Sequence, residues 1–140
     1  QELKNFVELT GIPVGMSQAG VGSLVWDHAQ NLGAVGATGT SAANRIAAEA
    51  DVIIGIGTRY SDFTTASRTA FQNPNVKFIN INVASFDAFK HGSAIPVVAD
   101  ARESIVELTE ELAGYHVAVE FEAHYANQKA IWDAAVALGV

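Results

Sequence analysis

No cysteine occurs among the 140 residues, which excludes disulfides, thiol nucleophiles and thiolate metal sites together. A reducing cytoplasm is the compartment that fits. No apolar run approaches the ~20 residues that a membrane-spanning helix needs. Gln1 to Thr10 is polar and holds two acids, where a secretory leader has a basic start and an apolar stretch. Basic residues are also scarce: eight Lys and Arg face fifteen Asp and Glu, a formal net charge of −7. Nucleic acid needs a basic patch, so neither nucleic acid nor a membrane is an expected partner.

What the chain does have is apolar content, 49% hydrophobic against 16% charged residues, enough to bury one core. The acids are concentrated. Seven lie between Asp100 and Glu122 with Arg102 alone against them, the pattern of a solvated helix face.

Periodicity divides the chain into alternating elements. Leu3, Phe6 and Val7 predict a helix over Gln1 to Thr10, stopped by Gly11. Ile12 to Met16 reads as a short strand, and Ser17 to Gly36 as mostly loop anchored by Trp26. Thr40 or Ser41 caps a helix carrying Ala43, Ile46, Ala47 and Ala50. "DVIIGIG", from Asp51 to Gly57, is an unbroken β-branched run suited to a strand covered on both faces. Tyr60 to Phe71 reads as loop plus a short helix. Strands follow over Asn75 to Val83 and Ile95 to Ala99. Asp100, three residues before Glu103, caps a helix with the stripe Ala101, Ile105, Leu108 and Leu112. Gly114 ends that helix, and Glu122 to Leu138 forms the last one. Helices alternating with continuously apolar strands predict an α/β fold, a doubly wound parallel sheet in three α/β/α layers.

In such a sheet ligands bind beyond the carboxyl ends of the strands. Four segments should meet there: Gly36 to Thr40, Gly57-Thr58-Arg59, Asn82 to Ser85, and Asp100. The first offers backbone N–H groups at a helix start, suited to phosphate. Arg59 adds a planar cation that clamps oxygens or stacks on a ring. Two readings stand side by side at this point. Either Gly36, Gly39, Thr40, Gly57, Thr58, Arg59, Asn80, Asn82 and Asp100 line a nucleotide cleft, or the glycines only permit packing and Asp100 only caps its helix. No complete G-x-G-x-x-G is present, no G-x-x-x-x-G-K-[ST] and no G-x-S-x-G elbow. The histidines show no metal-ligand spacing, and His28 beside Asp27 is a weak acid–base pair. No catalytic machinery is evident, and no metal site.

"NLGAVGATGTSAANRIAAEADVIIGIGTRYSDFTTAS", Asn31 to Ser67, resembles the central domain of thiamine-diphosphate-dependent enzymes, a family that includes acetolactate synthase and pyruvate oxidase. The shared pattern is Gly36 and Gly39, Ala43-Asn44, Asp51, and then Gly57-Thr58-Arg59-Tyr60-Ser61-Asp62. "FININ" and "VVADARES" occupy the places of two further motifs. "TGIPVGMSQAGVGSLVWDHAQ" and "NVASFDAFKHGSAIPVVADAR" narrow the likeness to members that hydrolyse a ring carbon–carbon bond of a cyclic dione in myo-inositol catabolism. An acetolactate synthase-like carboligase or decarboxylase and a stand-alone nucleotide-binding module are the alternatives.

The resemblance implies a Rossmann-like domain of the NAD/FAD-binding type, lacking its first strand and the glycine turn that would precede Gln1. It implies a central domain over residues 1–115 and, over 116–140, a linker and helix leading toward a further domain. Thiamine diphosphate and magnesium would be held by flanking thiamine-type domains in a homo-oligomer. FAD, ADP or NAD would meet Gly57, Thr58 and Arg59, with Asn80, Asn82 and Asp100 near the adenosine half. Asn82 stands where the family has an acid, which implies a weak or vestigial cleft.

Overall fold

The structure is a computed structural model that describes residues 1–59, 70–90 and 95–139. The expected loop and helix at 60–71 therefore lie almost wholly outside the described residues. Helix α1 (Glu2–Thr10) turns through Gly11 into strand β1 (Val14–Met16). Gly11 adopts φ 73°, and a Cβ there would lie 2.5 Å from the His116 ring, so both conformation and space require glycine. A 3-10 turn at Gln18–Gly20 leads to β2 (Asn31–Ala34), then to helix α2 (Ser41–Glu49). Next come β3 (Val52–Ile56), β4 (Lys77–Asn82), the short helix α3 (Ser85–Ala88) and β5 (Ile95–Val98). Helices α4 (Ala101–Glu111) and α5 (Val119–Ala137) complete the chain.

All strand pairings are parallel, in a two-stranded β1-β2 sheet and a three-stranded β3-β4-β5 sheet. Val52 pairs with Lys77 and Ile56 with Ile81, while Ile79 pairs with Ile95. On one face α1 and α4 pack over Met16, Ile54 and Ile56, in a cluster with Phe6, Val7, Leu24 and Ile105. On the other face α2 and α5 close over Leu32, Ala43, Ile46 and Tyr125. These are the three layers expected of a doubly wound α/β fold. Among the described residues no helix is long and apolar enough to cross a membrane.

The loop expected over Ser17 to Gly36 contains β2 instead. "NLGA" has no β-branched residue and carries a positive-φ glycine, so it offers no strand signal. Gly33 sits at φ 94°, and a Cβ there would strike the Thr40 methyl at 2.4 Å. Trp26 is not the anchor of this segment, being 85% exposed; Leu24 is buried in its place. The buried Asn31 amide fixes the turn, donating to the Leu24 and Val25 carbonyls while its oxygen accepts the Gly33 N–H.

The last helix starts three residues before the expected Glu122 and is docked over its first half. Tyr125, 3% exposed, donates its hydroxyl to the Gly11 carbonyl at 2.8 Å. Lys129 reaches the Asn31 carbonyl at 2.9 Å, and His124 meets Glu49 at 2.7 Å. Residues 119–129 thus pack as part of the same body as the sheets.

Burial, and then the nearby Glu122 carboxylate, raise the Tyr125 phenol above its ordinary 10.0. A folded-state value above the unfolded one means that this contribution is complete below pH 10 and fades as pH rises through the folded value. Tyr125→Phe should lower stability at neutral pH by about 1 kcal/mol, a fall of about 3–5 °C in Tm. Thermal melts at neutral pH and at about pH 10.5 test this, because the variant should lose less stability than the parent over that interval.

Candidate functional site

The glycine–hydroxyl turn is built by its own backbone. Thr40 caps α2, its hydroxyl accepting the Ala43 N–H at 2.9 Å and donating to the Leu32 carbonyl at 2.6 Å. The Gly39 N–H goes to the Gly36 carbonyl and the Thr40 N–H to the Ala34 carbonyl. Asn44 closes the loop from the helix, accepting the Gly36 N–H at 2.8 Å and donating to its carbonyl at 3.0 Å. A Cβ on Gly39 would lie 2.3 Å from the Ala34 oxygen, so that glycine allows the close approach. The N–H groups of Gly36, Gly39, Thr40 and Ala43 are all given to protein acceptors. A phosphate would find those four donors already used.

A second group gathers at the carboxyl edge of the three-stranded sheet. Asn82, at the end of β4, donates to the Thr58 carbonyl at 3.2 Å and accepts the Ala84 N–H at 3.0 Å. The Ala99 N–H reaches the Asn82 carbonyl at 3.2 Å, which brings Asp100 to the same edge. Asp100 accepts the Glu103 N–H at 3.0 Å as the cap of α4. Lys90 donates to the Arg59 carbonyl at 2.7 Å, pairs with Asp87 at 3.0 Å and lies 5.3 Å from the centre of the Phe86 ring. The Arg59 side chain is exposed, and among the described residues nothing lies within 4 Å of where a Cβ on Gly57, at φ 66°, would stand.

Thr58, Arg59, Asn82 and Asp100 therefore share one rim. Gly36, Gly39 and Thr40 stand at the end of β2, from which α2 carries the chain to the start of β3, so both sheets turn their carboxyl ends the same way. Asn80 differs from its rim neighbours. It is 2% exposed, below the rim, and its amide donates to the Lys90 carbonyl at 3.1 Å. Sequence reasoning missed the fasteners, Asn44 and Lys90. The only cue to Asn44 was its place in the Ala43-Asn44 motif.

The histidines are structural where described. His28 pairs with Glu8 of α1 at 3.0 Å, not with Asp27, and its other ring nitrogen accepts the Gln30 N–H. His116 meets the Val117 carbonyl and Glu122. His91 lies outside the described residues. Glu49 is held below the ordinary carboxylate value, first by the His124 hydrogen bond and then by Arg45. Among the described residues no group of three His, Cys, Asp or Glu could hold a metal ion. A cleft of about 940 Å³ runs between β1 and β3, and Thr58 is the one rim residue that lines it.

Parallel strands between two helical layers, with loops gathered at the carboxyl edge, define a dinucleotide-fold type of α/β domain. The family model for the central domain of thiamine pyrophosphate enzymes matches residues 1–108. The chain belongs to that family. It is 45% identical over 137 residues to 3D-(3,5/4)-trihydroxycyclohexane-1,2-dione hydrolase 2 of Bacillus cereus, across 98% of this chain and 21% of that protein. Hydrolase 1 of the same organism is 46% identical over 133 residues, 95% of this chain and 20% of its own length. A Bacillus anthracis hydrolase of the same name gives the same identity and coverage. The chain spans about a fifth of the length of these relatives.

The Asn82 amide explains why an acid is absent here: a carboxylate could accept from Ala84 but could not donate to Thr58. Asn82→Asp should therefore cost about 1–3 kcal/mol at neutral pH, by leaving a carbonyl facing a charge. Urea unfolding of the two proteins checks it, with Asn82→Ser expected to fall between them.

Proposed function

We propose that this chain is the central domain of a thiamine-diphosphate-dependent trihydroxycyclohexane-1,2-dione hydrolase, opening the ring of the dione to 5-deoxyglucuronate in myo-inositol degradation. The carrying observation is identity of 45–46% across 95–98% of this chain with hydrolases of that name. The whole protein would work in the cytoplasm as a homo-oligomer. Thiamine diphosphate supplies the carbanion chemistry when bound. The described residues here offer no metal-binding cluster, so they do not fit the cofactor and its magnesium, which flanking thiamine-type domains would hold. This domain contributes no reacting group. It contributes packing and one set of loops.

The nucleotide cleft of the resemblance is in this reading vestigial. Its glycine turn spends four backbone donors internally, and Asn82 stands where a ribose-binding acid would be. Among the described residues, exposed Arg59 is a cation at that rim able to meet a phosphate of FAD, ADP or NAD, while Lys90 beside it is paired with Asp87.

Two measurements test this. The longer polypeptide containing this chain should open trihydroxycyclohexane-1,2-dione only with thiamine diphosphate added. Carboligation of pyruvate without ring opening would overturn the assignment. Calorimetric titration of the 140-residue chain with FAD, ADP and NAD should stay flat, and binding tighter than about 1 μM would overturn the vestigial cleft.

A further inference from the structure

We propose that His116 is a proton-operated clasp. Held as the doubly protonated imidazolium, it ties the first turn of α5 to the carboxyl end of α1, and loss of its proton loosens that turn.

Both ring nitrogens face acceptors. The Nδ1 of His116 lies 2.8 Å from the Val117 carbonyl, and its Nε2 lies 3.3 Å from the Glu122 carboxylate. Those oxygens only accept, and a neutral imidazole carries hydrogen on one nitrogen alone. A neutral ring must therefore turn a bare lone pair toward the carbonyl or toward the carboxylate, whereas the imidazolium serves both. The other described histidines are under no such demand. His28 accepts the Gln30 N–H on Nδ1 and faces Glu8 with Nε2, so a neutral ring with hydrogen on Nε2 satisfies both contacts. His124 meets Glu49 through Nε2, which the same tautomer serves.

A second observation favours the same charge. The ring packs on Gly11, the left-handed cap that ends α1: a Cβ there would stand 2.5 Å from Cε1 of His116 and 2.7 Å from its Nε2. The last turn of α1 has no basic side chain, and a cation at a helix carboxyl end is stabilising. The surrounding groups add to that demand. Glu120 joins Glu122 in the first turn of α5, and Glu110 and Glu111 close α4 just upstream. Between Arg102 and Lys129 the chain has no Lys or Arg to answer them. Glu8 in the last turn of α1 is paired with His28, Tyr125 donates its hydroxyl to the Gly11 carbonyl, and the remaining titratable neighbour, Tyr115, is a phenol.

Two backbone amides flank the clasp and report on it. The Val117 N–H is given to the Thr10 carbonyl at 2.8 Å and the Glu122 N–H to the Ala118 carbonyl at 3.0 Å. Imidazole changes charge between about pH 5 and 8, so amide exchange of the 140-residue chain is compared at about pH 6 and pH 8, each rate divided by its intrinsic value. Protection at Val117 and Glu122 should fall by about threefold between the two. The Gly57 amide, bonded to the Ile81 carbonyl in the sheet, should hold its protection. His116→Gln keeps an amide donor that does not titrate, and its protection at Val117 and Glu122 should be the same at both pH values. Nitrogen NMR of the parent at about pH 6 should show hydrogen on both ring nitrogens of His116. Hydrogen on one nitrogen alone, a pH dependence that persists in His116→Gln, or an equal loss at Gly57 would overturn the proposal.

Discussion

The carboxyl end of α1 is buried, and a buried helix end must find partners for its last carbonyls. Two distant segments, the loop before β2 and the stretch from Val117 to Tyr125, are recruited to do so. The Phe6 carbonyl receives the Thr10 hydroxyl, and the Val7 carbonyl receives Gly11 and the Gln30 amide. Gln30 serves Ile12 as well, the Val117 N–H closes onto Thr10, and Tyr125 closes onto Gly11. Side chains from the loop before β2 and from the last helix therefore converge on one turn of backbone. No described buried side-chain polar atom is left without a partner. The unsatisfied alternative would cost about 1–3 kcal/mol for each group, so this cluster fixes where β2 and α5 can lie.

Neutral amides do the same work at every loop that matters. Asn31, Asn44 and Asn82 each accept from one backbone group and donate to another, which neither a carboxylate nor an ammonium can do. At the end of β4 this is a physical account of an amide standing where an acid would. In a dinucleotide cleft an acid ending a strand would hold a sugar hydroxyl; here the amide holds the neighbouring loop. The same trade is seen in the glycine turn, whose donors close the loop on itself.

Much of this could be read from residue order where the signal is local. Asp100 and Glu103 placed the start of α4, Gly11 placed the end of α1, and "DVIIGIG" placed β3, because capping, left-handed φ and β-branching act within a few residues. The carboxyl-edge grouping of Thr58, Asn82 and Asp100 followed from the parallel topology. What escaped was nonlocal. Strand β2 is held by Asn31 and by space for Gly33, not by β-propensity, and Tyr125 finds its acceptor 114 residues away. Asn80 shares its strand and its face with Asn82, yet the rise of two residues along β4 and the covering α3 put one below the rim and the other on it.

Helix α5 is clamped by Tyr125 and Lys129 but runs on to Ala137, with Ile131, Val136 and Leu138 largely uncovered. The eight residues after Lys129 project about 12 Å at the ~1.5 Å rise of an α-helix. A stiff rod held at one end is a lever: a rotation of a few degrees where Tyr125 grips would sweep its tip sideways in proportion to that overhang. Anything resting against those three apolar side chains would be turned in step with the sheets.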